Sequence, residues 1–307
     1  MKHINLILAI FCILNLLACE SNTRDTAKST TEKATTTKAP SLGLLEILKA
    51  SLTFYSSFDN GPSADFAKGD GNIYTATSRK EVASASAGMT NEDHQIVQPG
   101  QSGGNAFKFG KQGKKVIFYK SKDNVPAQEN NWTGTISFWL KVDPVKDLAP
   151  GYTDPIQITD VNYNDAAIWV DFTKDNPRDF RLGVFGDKEV WTKDTLTSPV
   201  DTVMENRIVR AKELPFSGEE WTHVLITYQA LSTPQSRSTL YLNGEKMGTI
   251  EGISDAFTWE FDKSNIFLGL GFIGLMDEIS IYNIAFTPDQ VEAFYQLKNG
   301  VKSIFTR

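Results

Sequence analysis

Trp221-Thr222-His223-Val224-Leu225-Ile226-Thr227-Tyr228 is the stretch on which the fold turns. Val224, Ile226 and Tyr228 fall on one face of an extended chain and His223 and Thr227 on the other, because side chains of a strand alternate with period two. Leu240-Tyr241-Leu242 repeats the pattern, and Asn243-Gly244 follows it. That dipeptide suits a type I′ hairpin turn, since both residues tolerate positive φ. Met247 and Ile250 then read as the returning strand. A second stretch runs Gly274-Leu275-Met276-Asp277-Glu278-Ile279-Ser280-Ile281-Tyr282-Asn283. Leu275, Ile279 and Ile281 share one parity. Asp277 shares it too, which places an acid on the inward face.

Outward from these stretches, short alternating segments bounded by Gly, Asn, Asp and Pro continue through the chain. Candidate strands are 52–58, 106–109, 115–119, 135–142, 156–159, 166–172, 181–185, 221–228, 239–242, 266–270 and 275–282. Many strands with almost no helices predict an all-β, two-sheet antiparallel sandwich, because parallel α/β folds need a helix between strands. One short C-terminal helix is well marked. Thr287 is a fitting N-cap, Pro288 the first helical residue and Gln290 the partner three positions on. Val291, Phe294 and Tyr295 would pack on the domain. Leu44, Leu45 and Leu48 sit at helical spacing and predict a short helix at the domain edge. The region 186–217 reads as long loops, and His94 as part of a polar loop.

The ends set the context. Residues 4–17 are apolar apart from Asn5 and Asn15 and fall short of the roughly 20 residues a spanning helix needs. They close on Leu16-Leu17-Ala18-Cys19, which is similar to a bacterial lipobox. Residues 1–18 are therefore expected to be a lipoprotein signal peptide, with Cys19 the lipidated residue. The alternative is an ordinary secretory signal with a chance cysteine. Residues 19–41, rich in Thr, Ser, Lys and Ala, read as a tether with nothing to bury. The folded domain is expected over 42–300, followed by a tail at 301–307. Cys12 and Cys19 are the two cysteines, so the domain has neither a disulfide nor a thiolate metal site. The net charge of −6 argues against nucleic acid, whose binding rests on clustered Lys and Arg. The expected location is a membrane, reached through the lipid anchor alone, at the cell surface, the outer membrane or the periplasm.

Four segments in order carry a family resemblance: Leu52-Thr53-Phe54-Tyr55-Ser56-Ser57-Phe58-Asp59, Thr133-Gly134-Thr135-Ile136-Ser137-Phe138-Trp139-Leu140-Lys141, the stretch from Trp221 to Glu245, and Gly274 to Asn283. Together they resemble the laminin-G-like, concanavalin A-like jelly roll, over about residues 50–300. The resemblance implies a binding domain, often for sugar, with only some relatives cleaving it. It also implies that the first and last strands lie side by side. Asp59 and Asp277 are then candidate ligands for a structural Ca²⁺, a hard cation that takes oxygen donors. The alternative is a carboxylate capping backbone amides. Asp65, Asp70 and Asn72 form a second, weaker acidic run.

Sugar sites combine aromatic rings with a few planar polar groups. Trp169 and Asp171 oppose Ile168, Val170 and Phe172; Arg181 and Phe185 oppose Leu182 and Val184; Trp139 and Lys141 oppose Phe138 and Leu140. Trp139, Trp169, Asp171 and Arg181 are the candidate glycan-binding residues if these outward sets share one sheet. Otherwise the tryptophans pack under loops and Asp171 pairs structurally with Arg181. Trp191 and Trp259 either rim a site or anchor a loop. No catalytic residue is expected. Asp277-Glu278 is an adjacent acidic pair, not the same-face pair of a glycosidase. Gln157-Ile158-Thr159 lacks the histidine of the Gln-Ile-His motif of alginate lyases, and His223 has a structural setting. The expectation is a non-catalytic glycan-binding module. The alternatives are an adhesion protein with protein partners, and a polysaccharide lyase or hydrolase with an unfamiliar site.

Overall fold

In the computed structural model, which describes residues 42–90, 92–128, 130–297 and 299–305, every alternating segment above forms a strand. The signal peptide, Cys19 and tether expected for residues 1–41 lie outside the described residues. The strands make two antiparallel sheets. The nine-stranded sheet runs Glu245–Glu251, Arg237–Leu242, Thr222–Leu231, Trp132–Lys141, Gly274–Tyr282, Leu52–Ser56 and Phe66–Ala67, with the hairpin His94–Val97/Ala106–Phe109 joined beside Gly274–Tyr282. The eight-stranded sheet runs Ile208–Ala211, Phe180–Phe185, Ala167–Phe172, Thr153–Thr159, Asn265–Leu270, Val116–Lys120, Ile73–Ala76 and Ser86–Ala87.

The two sheets close on a shared core. Ile136, Phe138, Val224 and Ile226 from one sheet join Ile156, Ile168, Val170 and Leu182 from the other in one buried cluster. Each such side chain contributes roughly 1.5–3 kcal/mol of transfer free energy, so the period-two pattern decides which face of each strand turns inward. Asn243 (φ 50°) and Gly244 (φ 81°) close their hairpin as a type I′ turn requires. Helices cover the outer face of the nine-stranded sheet. Leu44 and Leu48 of Leu42–Ser51 and Val291 and Phe294 of Pro288–Tyr295 pack on Tyr55, Leu225 and Tyr282 there. Thr287 caps the second helix with a complete capping box. The 301–304 segment, separated above as a tail, is a short helical turn whose Val301 and Ile304 join this packing.

Three expectations need correction. Asp277 is not on the core face. Glu278 adopts φ 53°, and the pairing with Trp132–Lys141 shifts register between Asp277 and Ser280. This bulge inserts a residue and reverses the parity. Met276, Ile279 and Ile281 therefore enter the core, while Asp277 pairs with the outward Trp139. The region 186–217 is not loop. It carries helices Lys188–Trp191 and Val200–Glu205, a turn at Thr192–Leu196 and strand Ile208–Ala211. Trp191 and Val203 pin it to Trp169 and Phe185, and Arg207 anchors it on Asp194 and Asp255. His94 begins a strand and is buried against Phe107 and Phe109.

Candidate functional site

Outward parity on three neighbouring strands of the eight-stranded sheet builds a cleft. Ile156, Ile158, Ile168, Val170, Leu182 and Val184 point into the core, so Gln157, Trp169 and Gly183, paired in one row, point out. Asp171 and Arg181 form the next row. The cleft encloses about 520 Å³, within the range of small-molecule sites. Arg79, Tyr152, Asp154 and Tyr163 wall it, and Met204 and Ile208 close one side from the helical insert.

Gly183 lets the floor form. A methyl group there would overlap the six-membered ring of Trp169. The indole instead lies across the strand, only 3% exposed. Its Nε1 donates to the Tyr163 carbonyl at 2.6 Å, and its ring stacks on Phe185 at 6.0 Å. Arg181 donates from Nε to Asp171 Oδ1 at 2.8 Å and from Nη2 to Oδ2. This is the two-pronged pairing that makes an arginine–carboxylate contact strong and fixed in direction. The same guanidinium lies 5.3 Å from the Trp169 ring centre and 4.9 Å from that of Tyr152. Tyr152 and Tyr163 remain 53% and 43% exposed, so they are the aromatic faces open to a ligand.

A second polar chain crosses the cleft. Arg79 Nη1 donates to Gln157 Oε1, and Gln157 Nε2 donates to Asp154 Oδ2 at 2.8 Å. Arg79 Cζ sits 4.7 Å from the Phe267 ring centre. Burial, and after it the charge of Asp171, push the Asp154 carboxyl up to about 8, against the pull of Arg79, Arg181 and the Gln157 hydrogen bond. Burial also raises the Asp171 carboxyl, with Arg181 opposing.

Of the four expected glycan contacts, the fold brings Trp169, Asp171 and Arg181 together in this cleft. Trp139 is elsewhere. Its strand belongs to the nine-stranded sheet, where its ring lies 4.7 Å from His223 and 5.8 Å from Tyr295 of the C-terminal helix. Outward parity was read correctly, but alternation alone does not assign a strand to a sheet. Trp191 and Trp259 anchor loops through Nε1 bonds to the carbonyls of Asn164 and Ala166. Arg79, Tyr152, Asp154 and Tyr163 were missed. Tyr152 and Tyr163 flank predicted strands in Gly- and Asn-containing turns, and that placement was the available signal. Arg79 arrives from a distant turn and had none.

Asp59 and Asp277 are both held by the segment 98–105. Asn105 N donates to Asp59 Oδ1 at 2.7 Å and Gln101 N to Asp277 Oδ2 at 2.6 Å. Asp277 Oδ1 accepts from Glu278 N at 2.8 Å. Lys302 Nζ sits 2.8 Å from Asp59 Oδ2. The two carboxylates expected as calcium ligands thus both bond to one loop, and the Lys302 ammonium stands at Asp59. Asp65 and Asp70 serve separate turns, on Ser57 and Asn72.

The chain belongs to the concanavalin A-like lectin/glucanases superfamily: its laminin-G model matches residues 120–292, more than half of the sequence. No curated protein sequence matches the chain. Solved structures do. Domain 4 of a GH43 extracellular arabinanase from Geobacillus stearothermophilus, in complex with arabinotriose, is 18% identical with a TM-score of 0.50, over 80% of this chain and 98% of that one. The ligand-binding domain of botulinum neurotoxin serotype D, in complex with N-acetylneuraminic acid, is 14% identical with a TM-score of 0.53, over 82% of this chain and 52% of that one. The chain therefore spans about half the length of the toxin domain. At these identities the likeness is one of fold.

Proposed function

We propose that the domain is a non-catalytic glycan-binding module, and that the cleft on the eight-stranded sheet is its site. The observation that carries this is the pairing of two exposed tyrosines, Tyr152 and Tyr163, with a floor of fixed polar groups, Gln157, Asp171 and Arg181. Aromatic faces can stack on sugar C–H surfaces while the polar groups orient hydroxyls. Domains of the same fold in complex with arabinotriose and with N-acetylneuraminic acid support a sugar as ligand. A glycan array probed with the soluble domain tests it. Binding that is lost with Tyr152→Ala or Tyr163→Ala supports the proposal, and no binding across plant, marine and host glycans overturns it.

A polysaccharide-cleaving enzyme is the second reading, favoured by one observation. Asp154 and Asp171 share the cleft, and the charge of Asp171 raises the cost of ionising Asp154. One protonated and one ionised carboxyl is the arrangement of glycoside hydrolysis. Against it, both oxygens of Asp171 are taken by Arg181, which leaves it poorly placed to attack or to activate water. New reducing ends on incubation with polysaccharide, absent with Asp154→Asn, would favour the enzyme.

The module would be held to a membrane by an acylated Cys19, at the cell surface, the outer membrane or in the periplasm. A structural Ca²⁺ at Asp59 and Asp277 is a further proposal, conditional on displacement of Lys302.

A further inference from the structure

We propose that the cleft selects sugars bearing a carboxylate, which docks on Arg79 beside Gln157. This rests on the glycan-binding proposal above and adds the ligand's charge.

The charge inventory of the cleft points there. Four of its lining side chains can carry charge: Arg79, Asp154, Asp171 and Arg181. Asp171 and Arg181 form a closed pair, with both carboxylate oxygens bound, and contribute no net charge. Arg79 has no such partner: among the described residues no carboxylate lies within ion-pair distance of it. Its hydrogen bonds go to neutral acceptors, the Gln157 amide oxygen and the Val161 carbonyl at 3.5 Å. A guanidinium carries five donors, so most of its capacity is unspent. It rests against the Phe267 ring, and a partly buried charge over an apolar surface is costly without a counter-charge.

Asp154 attracts Arg79 but forms no ion pair with it. The Gln157 amide stands between the two, bonded to both. Asp171 on the adjacent strand disfavours a second negative charge. Holding its proton below about pH 8, Asp154 is neutral and able to donate to a sugar hydroxyl. Near neutrality the cleft thus carries one positive charge, that of Arg79. A planar guanidinium matches a carboxylate in a two-pronged fork. Tyr152 and Tyr163 are exposed at the same cleft and would take the ring faces of the same sugar.

Two sources of such a group exist, a uronic acid within a polyuronate and a terminal sialic acid, and they are separable by experiment. Binding is measured by calorimetry for oligouronates, sialyl-oligosaccharides and neutral arabino- and gluco-oligosaccharides, at pH 6.5 and pH 9. The expected result is preference for one acidic series, weakening at pH 9 as Asp154 ionises among Asp171, Arg79 and Arg181. Arg79→Met should lose on the order of tenfold to a hundredfold in affinity, the scale of a charge-assisted hydrogen bond. Asp154→Asn should remove the pH dependence. Should Arg79→Met fail to fold, the Asp154→Asn profile still decides. Equal binding of neutral sugars, or a pH dependence unchanged in Asp154→Asn, overturns this inference and leaves the glycan site standing. Binding of no sugar overturns both.

Discussion

Lys302 Nζ lies 2.8 Å from Asp59 Oδ2, joining the last turn of the described chain to the turn that follows its first strand. Around this bridge Val301 N donates to Glu278 Oε2, and the Tyr55 hydroxyl donates to Glu278, each at 3.0 Å. Phe305 stacks on Tyr55 at 5.8 Å. The C-terminal turn thus meets the acids that the bulge at Glu278 gathers on the outer face. A partly exposed ion pair contributes about 0.5–1 kcal/mol, which is roughly 1–4 °C in melting midpoint for a domain of this size. Lys302→Met is expected to lower the midpoint by that amount. If Lys302 holds the cation position, added Ca²⁺ should stabilise Lys302→Met more than the natural chain, because ion binding no longer competes with an ammonium. Paired melts in Ca²⁺ and in EDTA measure both effects. A Ca²⁺ shift equal in the two proteins would show that Lys302 is no competitor.

Stability should be highest at acidic pH and fall as pH rises. Burial, then the neighbouring charge of Glu278, raise Asp277 to about 8, and burial raises Glu278 to about 7. Asp154 also stands at about 8. The unfolded chain ionises these groups near pH 4. Between pH 4 and 8 the native state therefore binds more protons, and stability falls as pH rises through that window. Histidines act oppositely. Burial lowers His223 to about 3 and His94 to about 4, so their contribution is present above pH 6.5 and is lost as pH falls toward those values. Three raised carboxyls outweigh two lowered histidines, so midpoints measured from pH 4 to 9 should fall overall as pH rises. Asp277→Asn should flatten the fall, and a profile unchanged in that variant would assign it to other groups.

Lipidation is testable without the fold. If residues 1–18 direct acylation of Cys19, cells grown with labelled fatty acid should yield labelled protein in the membrane fraction. Cys19→Ser should abolish the label and release the domain from membranes. A natural chain that stays unlabelled would point instead to plain secretion.

The legible part of the molecule was what one strand can state about itself. Parity along 167–172 and 180–185 turned Trp169, Asp171 and Arg181 outward, and the chain folds so. The capping box at Thr287 and the turn at Asn243-Gly244 were equally local, and equally readable. What failed depends on pairing between strands. Trp139 went to the wrong sheet because sheet membership is set by long-range hydrogen bonds. Asp277 went to the wrong face because a single left-handed residue, Glu278, shifts the register and no rule on residue type requires a bulge there. The helical insert at 188–205 was hidden for a related reason. Its segments are too short for a 3.6-residue period and are held by Trp191, Val203 and Arg207 packing elsewhere. Arg79 enters the cleft only through tertiary structure.

The cleft's floor and its rim should separate experimentally. Trp169 is buried, bonded to the Tyr163 carbonyl and seated on Gly183, so its loss is a packing loss. Trp169→Ala should cost about 3–5 kcal/mol, as large-to-small core changes do. Gly183→Ala should displace the indole, destabilising the domain and weakening sugar binding together. Tyr152 and Tyr163 are largely exposed and anchor little. Their alanine variants should melt within a degree or two of the natural domain, since exposed substitutions cost less than about 0.5 kcal/mol, yet bind sugar on the order of tenfold more weakly, a change of about 1.4 kcal/mol. Melting curves and calorimetric titrations on the four variants make the comparison. Tyrosine variants with full affinity would move the site off this cleft. Trp169→Ala with natural stability and lost affinity would make the tryptophan a direct contact, with no role in holding the floor.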